Sequence, residues 1–251
     1  GGGGTGALTL AFDAASRGTY ELSGGTLQVK GNEFIGGVGQ GTFTQTGGTH
    51  TIGSITGGTG DLSLSFAHQF GQNPSRFGVF NLDGGTLNVG DDAFIGVDGP
   101  GTFNQTQGTN TIANRLVLSS RTLASMAGTP ADVIGTGEYN LSGGDLSSAS
   151  VEIGEFGVGT FNQTGGTHSV TNQLILGKES GSTGAYNLSN GTLSANAIVI
   201  GSLGTGTFNL SGGTLTTDSL NIINPNGAFS FTGGVLHATN IIGNIVNNGG
   251  M

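Results

Sequence analysis

Acidic and histidine side chains are the first candidates for chemistry in this 251-residue chain, which contains no cysteine. Asp91 and Asp92 are adjacent, and Asp98 follows them. A pair of carboxylates at suitable separation can act as acid and base in the cleavage of a polysaccharide. The candidates for holding a metal ion are His50, His168 and the segment GGTGD at 57–61. What these groups can do depends on the elements that position them.

The composition excludes several classes of protein. Glycine accounts for 53 residues, and Lys and Arg number 6 against 15 Asp and Glu. A helical fold is excluded because each glycine inside a helix costs about 1 kcal/mol. Six basic residues cannot neutralise a track of phosphates, so we expect no nucleic-acid partner. No apolar run approaches the roughly 18 residues of a spanning helix, so we expect no membrane span.

The chain is built from an internal repeat. A ten-residue phrase, typified by GTFNLSGGTL, begins at residues 18, 41, 78, 101, 137, 159, 184, 206 and 227. The basic period is about 22 residues, and two insertions interrupt it, at 65–77 and 119–136. Within each phrase, apolar and polar residues alternate as in a β-strand. The second glycine of the Gly-Gly pair is present in all nine phrases, and it predicts a corner with positive φ, where a Cβ atom is costly.

A period of this length with glycine corners predicts an all-β fold. We expect residues 1–251 to form a single parallel β-solenoid domain of about ten coils, with three short strands in each coil. The variable coil length favours a right-handed solenoid. The third residue of each phrase then forms an internal aromatic column, made of Tyr20, Phe43, Phe80, Phe103, Tyr139, Phe161, Tyr186, Phe208 and Phe229.

Two further columns follow from the repeat. An aliphatic residue, usually followed by glycine, recurs between phrases and predicts a second inner wall that runs from Leu10 to Ile223. Asn and Thr face outward in the phrase, and their columns are expected to form hydrogen-bonded ladders along the rod.

The repeat argues against most of the candidate chemistry. Acids do not recur at matching places of the coils next to Asp91 and Asp92, so solvated turn residues are the better interpretation and we predict no catalytic residues. His50 and His168 lie four coils apart, about 19 Å at the spacing of β-strands, which is too far for one shared ion. The segment at 57–61 is one residue short of the calcium-binding GGxGxD pattern and occurs once. We predict no cofactor, with calcium as the open alternative.

Three coils differ from the others in a paired way. The phrases at 41, 101 and 159 carry polar residues at the fifth and tenth positions, which are apolar in the other six phrases: Gln45 and His50, Gln105 and Asn110, and Gln163 and His168. Because a buried polar group without a partner is costly, we predict mutual hydrogen bonds near the corner.

The phrase G-T-[FY]-N-[LQ]-[ST]-G-G-T-L and the Ile-Gly motif resemble the Gly/Thr/Asn-rich repeats of bacterial surface proteins. These are the passenger domains of autotransporters and the extracellular repeat proteins that often carry a PEP-CTERM sorting signal. The resemblance covers nearly the whole chain. It implies a β-solenoid at the bacterial cell surface, and a mature, processed or excised segment of a larger protein.

Basic residues gather where the chain leaves the repeat. Four of the six lie in the insertions and in two shorter excursions: Arg17, Arg76, Arg121 and Lys178. These segments leave the same corner of alternate coils, so they should align as a ridge with a spacing of about 10 Å. We expect the ridge to contact an acidic glycan or another copy of the rod, with simple solvated loops as the alternative.

The two ends of the solenoid suggest self-assembly. The terminal coils of a solenoid expose unpaired strand edges, which natural proteins protect with charge, proline or a helix. The sequence shows no helical cap and little charge at either end. We predict head-to-tail contacts through Leu8, Leu10, Leu236, Ile241, Ile242, Ile245 and Val246, because contacts that do not close generate a filament.

Three functions are therefore open. The first is a non-catalytic extracellular structural protein that assembles head to tail into a fibre or surface matrix. The second is an adhesin stalk that binds glycans or surfaces through the ridge. The third is a polysaccharide-active enzyme that uses Asp91 and Asp92.

Overall fold

The computed structural model describes residues 6–13, 15–54, 56–66, 76–121 and 135–249. The strands of this part of the chain are β1 (Leu8–Leu10), β2 (Arg17–Leu22), β3 (Thr26–Val29), β4 (Glu33–Ile35), β5 (Gln40–Gln45), β6 (Thr49–Ile52), β7 (Leu62–Leu64), β8 (Phe77–Leu82), β9 (Thr86–Val89), β10 (Ala93–Ile95), β11 (Pro100–Gln105), β12 (Thr109–Leu118), β13 (Thr136–Leu141), β14 (Asp145–Ile153), β15 (Val158–Gln163), β16 (Thr167–Leu176), β17 (Thr183–Leu188), β18 (Thr192–Ile200), β19 (Thr205–Leu210), β20 (Thr214–Ile222), β21 (Gly227–Phe231), β22 (Val235–Ile242) and β23 (Val246–Asn247). No helix among these residues is long and apolar enough to cross a membrane.

The strands form two parallel sheets that wind as a β-solenoid, as the repeat predicts. One sheet stacks the first strands of the nine phrases, from β2 to β21, and ends with β23. The other sheet stacks the rest of each coil, from β1 and β3 to β22. We number as coils 1 to 9 the turns that begin at the nine phrases. Equivalent residues of successive coils pair in register, so that Phe103 lies between Phe80 and Tyr139.

The prediction of three strands per coil is correct only for coils 1 to 3. From coil 4 onward, the second and third strands merge into one long strand, as in β12, and a register irregularity between Ile112 and Arg115 marks the bend. The bends of coils 1 to 3 contain Gly31, Gly60 and Gly90, whereas the later bends contain no glycine. Glycine weakens the interior of a strand, which accounts for the break in the early coils.

The interior of the stack is the aromatic column that the phrase predicts. Consecutive rings lie 4.6 to 5.2 Å apart between centroids and are tilted by at most 17° from parallel, from Tyr20 at one end to Phe229 at the other. This offset or parallel stacking is favourable beyond the area that it buries. The ladder of outward amides is also present, since Asn104 donates to Asn81 at 2.9 Å and Asn140 donates to Asn104 at 3.1 Å. It continues through Asn162, Asn187 and Asn209.

The aliphatic wall is as predicted except at its C-terminal end. Ile200 pairs with Ile222 and not with Ile223, and the side chain of Ile222 is buried. The assignment from sequence was one residue out because the glycine that marks the motif elsewhere is missing there. A one-residue slip in a strand moves a side chain to the opposite face, so Ile223 does not belong to the inner wall.

The corners are of two kinds, and both use positive φ. The second glycine of the Gly-Gly pair has a φ between 68° and 87° in all nine phrases, from Gly25 to Gly234. The corner after the aliphatic wall also has positive φ from Ala11 to Gly201, and at Ala11, Ser65 and Ser119 the residue in this conformation is not glycine. The two long insertions leave from Ser65 and Ser119, as predicted, and Phe77 and Thr136 already belong to strands. Their segments 67–75 and 122–134 lie outside the described residues.

Candidate functional site

The polar residues of coils 2, 4 and 6 lie inside the stack, where all six side chains are buried. Each glutamine donates from Nε2 to two backbone carbonyls, one in its own corner and one in the next coil. Gln105 donates to the carbonyls of Gly108 at 3.2 Å and Asp145 at 3.0 Å. Gln45 and Gln163 make the equivalent bonds. These bonds tie consecutive coils together across the core.

In two of these coils, a tyrosine of the next coil bridges the polar pair. The hydroxyl of Tyr186 donates to Gln163 Oε1 at 2.6 Å and lies 3.0 Å from Nδ1 of His168. The hydroxyl of Tyr139 donates to Gln105 Oε1 at 2.5 Å and accepts from Asn110 at 3.1 Å. In coils 4 and 6 the predicted contact within the pair is therefore made through a tyrosine, whereas in coil 2 the prediction of a bond between Gln45 and His50 is wrong. Burial lowers the pKa of His168 to about 3 and raises the pKa of both tyrosines, so all three groups are neutral near pH 7.

Coil 2 differs because Phe80 stands where the other two sites have tyrosine. His50 instead contacts Glu33, with 2.8 Å between Nε2 and Oε2, and neither side chain has any exposed surface. His50 also stacks on Phe43, with ring centroids 4.8 Å apart. Burial raises the pKa of Glu33 above its ordinary value, and the contact with His50 opposes that shift. A carboxylate and an imidazole in contact can hold or exchange one proton, but neither is accessible to a substrate.

A row of alternating charges lies on the outside of coils 3 to 6. Arg115 pairs with Asp92 at 2.7 Å and with Glu152 at 3.6 Å. Lys178 pairs with Glu152 at 2.9 Å and with Glu155 at 3.5 Å. Isolated surface ion pairs contribute about 0 to 1 kcal/mol, and a network contributes more reliably. The row connects four coils, and within it Asp92 forms an ion pair with Arg115.

The carboxylates considered for catalysis lie in one corner, where the register places Asp61 of coil 2 beside Asp92 of coil 3. The expectation that no acid recurs at a matching place in a neighbouring coil is therefore wrong, but these carboxylates are engaged in other contacts. Asp91 accepts a hydrogen bond from Asn114 at 3.1 Å. Asp61, the last residue of GGTGD, accepts from Asn32 at 3.1 Å and from the backbone of Asp92 at 3.3 Å, and Asp98 is buried. Among the described residues, no group of three or more His, Asp or Glu side chains is arranged to hold a metal ion.

The basic residues of the predicted ridge lie in different environments. Arg17 is exposed. Arg76 is 5% exposed and donates to the backbone carbonyl of Asp98. Arg121 lies over the ring of Phe156, 4.0 Å from its centroid, and Lys178 belongs to the charged row. The structure therefore does not bring the four together as one free basic surface.

The residues predicted for self-assembly lie at both ends of the stack. Leu8 and Leu10 are half-buried at the N-terminal end, as are Leu236 and Ile245 at the C-terminal end. Leu27, which was not predicted, is half-buried beside Leu8 and Leu10 at the N-terminal end. Ile241 is 44% exposed because it continues the inner column of Leu220 beyond the last covered coil. Ile242 and Val246 are also exposed, but they pair with Asn221 and Ser230 and so face outward.

Sequence reasoning missed Glu33, Arg115 and the role of the tyrosines. The signal for the tyrosines was present, since Tyr139 and Tyr186 follow polar coils directly. Glu33 replaces an aliphatic residue of the inner column that contains Leu62 and Leu8, but the glycine-rich bend beside it hides the register.

The chain matches no protein-family model, no curated protein and no solved structure.

Proposed function

We propose that this chain is a non-catalytic structural protein that assembles head to tail into an extracellular fibre or surface matrix. The observation that supports this proposal is the complementarity of its two end faces. The C-terminal face consists of Leu236, Ile241 and Ile245 with the outer edges of β22 and β23, which pair with no further strand of the described residues. The N-terminal face consists of Leu8, Leu10, Tyr20 and Leu27 with the outer edges of β1, β2 and β3, which likewise have no further partner strand in the described part of the chain.

The two faces belong to the same inner columns. Leu27 begins the column that Leu236 ends, and Leu8 begins the column that Ile241 ends. Successive coils of one chain stack through equivalent residues of these columns. The first coil of a second copy therefore fits on the last coil of the first copy in the same way. Backbone hydrogen bonds along the open strand edges would add to the apolar contact.

The experiment compares three variants by negative-stain electron microscopy and sedimentation velocity. Leu236→Lys/Ile241→Lys places charge on the C-terminal face, and Leu10→Lys places charge on the N-terminal face. Thr216→Lys adds the same charge to the exposed side of β20 and is the matched control. We expect filaments from the parent chain and from the control, and single rods from each face variant, with unchanged circular dichroism.

Mixing the two face variants provides the sharper result. Each retains one intact face, so an equimolar mixture should form rods of twice the length and nothing longer. Single rods from the parent chain at every concentration would contradict the proposal. Filaments from both face variants would also contradict it, because association would then use another surface.

A further inference from the structure

Glu33 and His50 occupy positions that are apolar in the neighbouring coils. In the column of Glu33, the next coil has Leu62, and in the column of His50, the next coil has Leu87. The pair is therefore an ionisable insertion into an apolar wall. Replacing a buried ion pair by well-packed apolar residues is often neutral or stabilising, so packing alone does not account for its presence.

The pair is isolated from other charges. Leu8 and Leu62 lie on either side of Glu33 in its column, and Leu27 and Leu87 lie on either side of His50. From β5 and β8, the core side chains are Phe43, Gln45, Phe80 and Leu82, which do not ionise. Among the described residues, His50 is the ionisable group that acts on Glu33.

We propose that the Glu33–His50 pair is a pH-sensitive lock on coils 1 and 2, and that raising the pH opens these coils before the rest of the rod. With one proton, the pair has no net charge, whichever residue holds it. When that proton is lost, an uncompensated negative charge is left in an apolar core, which is strongly unfavourable. Solenoid coils contact only their neighbours, so the cost falls on the coils that contain the pair.

The direction of the pH effect follows from burial. Desolvation raises the pKa of Glu33 above 4.5, the ordinary value, even though His50 lowers it. The folded chain thus keeps a proton that the unfolded chain releases. The stability that this group contributes is complete below the unfolded pKa and is lost as pH rises through the folded pKa.

Coil 6 responds in the opposite direction. The pKa of His168 is lowered to about 3 by burial, so the unfolded chain takes up a proton that the folded chain refuses. Stability from this group is complete above the ordinary histidine pKa of 6.5 and is lost as pH falls toward 3. The rod therefore carries an alkaline-sensitive segment near its N-terminal end and an acid-sensitive segment in its middle.

The test is hydrogen exchange measured by mass spectrometry from about pH 5 to about pH 9, corrected for the intrinsic rate. The chain carries Leu236→Lys/Ile241→Lys, so that association does not protect its ends. We expect the opening equilibrium of residues 6–52 to increase as pH rises over this range, because the folded chain holds the proton of Glu33 to a higher pH than the unfolded chain does. Residues 184–231 should show a much smaller change.

Three variants separate the lock from a general effect of pH. Glu33→Leu/His50→Leu copies Leu62 and Leu87, and Glu33→Gln stays neutral at every pH, so both should abolish the alkaline opening. His168→Asn copies Asn110, which contacts Tyr139 in the same way, and should leave the alkaline opening unchanged. The lock is disproved if residues 6–52 open equally with and without the pair, or if the whole rod opens together.

The lock has a consequence for assembly that rests on the proposed function. Leu8 and Leu27 of the N-terminal face lie directly on Glu33 and His50. Opening coils 1 and 2 would remove that face, so the parent chain should form shorter filaments at about pH 9 than at about pH 5, and Glu33→Gln should not. The exchange experiment uses single rods, so its outcome does not depend on whether filaments form.

Discussion

A single tyrosine hydroxyl group determines whether the buried polar side chains of coils 2, 4 and 6 have their hydrogen-bond partners. Tyr186 fills the space between Gln163 and Nδ1 of His168, and in coil 2 the equivalent ring is Phe80. Among the described residues, Gln45 Oε1 and His50 Nδ1 have no hydrogen-bond partner. The rings are placed alike, with His168 at 6.1 Å from Tyr186 and His50 at 6.2 Å from Phe80 between centroids.

Phe80→Tyr should therefore stabilise the protein. The new hydroxyl can donate to Gln45 and accept from His50, and we expect a gain of about 1 kcal/mol in the free energy of unfolding, measured with denaturant. The control is Phe103→Tyr, whose hydroxyl would face Leu82 and Leu87 of coil 3. Burying it there without a partner should cost about 1 to 3 kcal/mol. Equal effects of the two substitutions would show that the hydroxyl does not bridge coil 2.

At the scale of strands and turns, replacing a corner glycine has two separate costs. Gly25 and Gly144 have almost the same φ, at 76° and 78°. A Cβ atom at Gly144 would lie 2.3 Å from the carbonyl oxygen of Gly108 in the preceding coil, whereas nothing lies within 4 Å of a Cβ atom at Gly25. The corner in the stack thus needs glycine for its dihedral angle and also for its contact with the neighbouring coil.

Substituting alanine at the two corners separates these costs. Gly25→Ala should lower the free energy of unfolding only by the cost of a left-handed conformation for alanine, about 1 to 2 kcal/mol. Gly144→Ala should lower the free energy of unfolding by the same cost and by a further ~1 to 3 kcal/mol, because its Cβ atom overpacks against the neighbouring coil. The measurement is the free energy of unfolding of both variants in denaturant. A loss at Gly25 as large as that at Gly144 would mean that φ alone selects glycine.

The periodicity of elements was readable from the sequence because each inner position is sampled nine times. The aromatic column, the corner glycines and the amide ladder recur from phrase to phrase, and these predictions are confirmed. The residues that depart from the repeat could not be predicted, because each departure occurs only once. Glu33 has no counterpart in another coil, and Ile222 lacks its marker glycine. The charged row joins Asp92, Arg115 and Glu152 through bends of different length, so its alignment depends on a register that the pattern does not specify.

At the scale of the whole molecule, the stack behaves as a one-dimensional array. Each coil pairs with the coil before and the coil after it, so stability is a sum of coil and interface contributions. Coils that exchange hydrogen bonds across the core, such as coils 6 and 7 through Tyr186, are coupled more specifically than coils whose contact is apolar. A coil with only apolar inner contacts should therefore be removable, provided that its neighbours match.

Coil 8 meets this condition except at Thr217, which is buried and donates to the backbone carbonyl of Asn196 in coil 7. Its deletion tests the array directly. Gly206 and Gly227 are paired equivalents, so removing residues 206–226 joins Thr205 to the next phrase and stacks Phe229 on Tyr186. We expect a folded rod shorter by about 4.8 Å in small-angle scattering, with the same ellipticity per residue and a reduced melting temperature. Removing residues 206–215 alone destroys the equivalence of strands and should unfold the C-terminal coils. If both deletions unfold the protein equally, stability resides in specific long-range contacts and not in the sum of neighbouring coils.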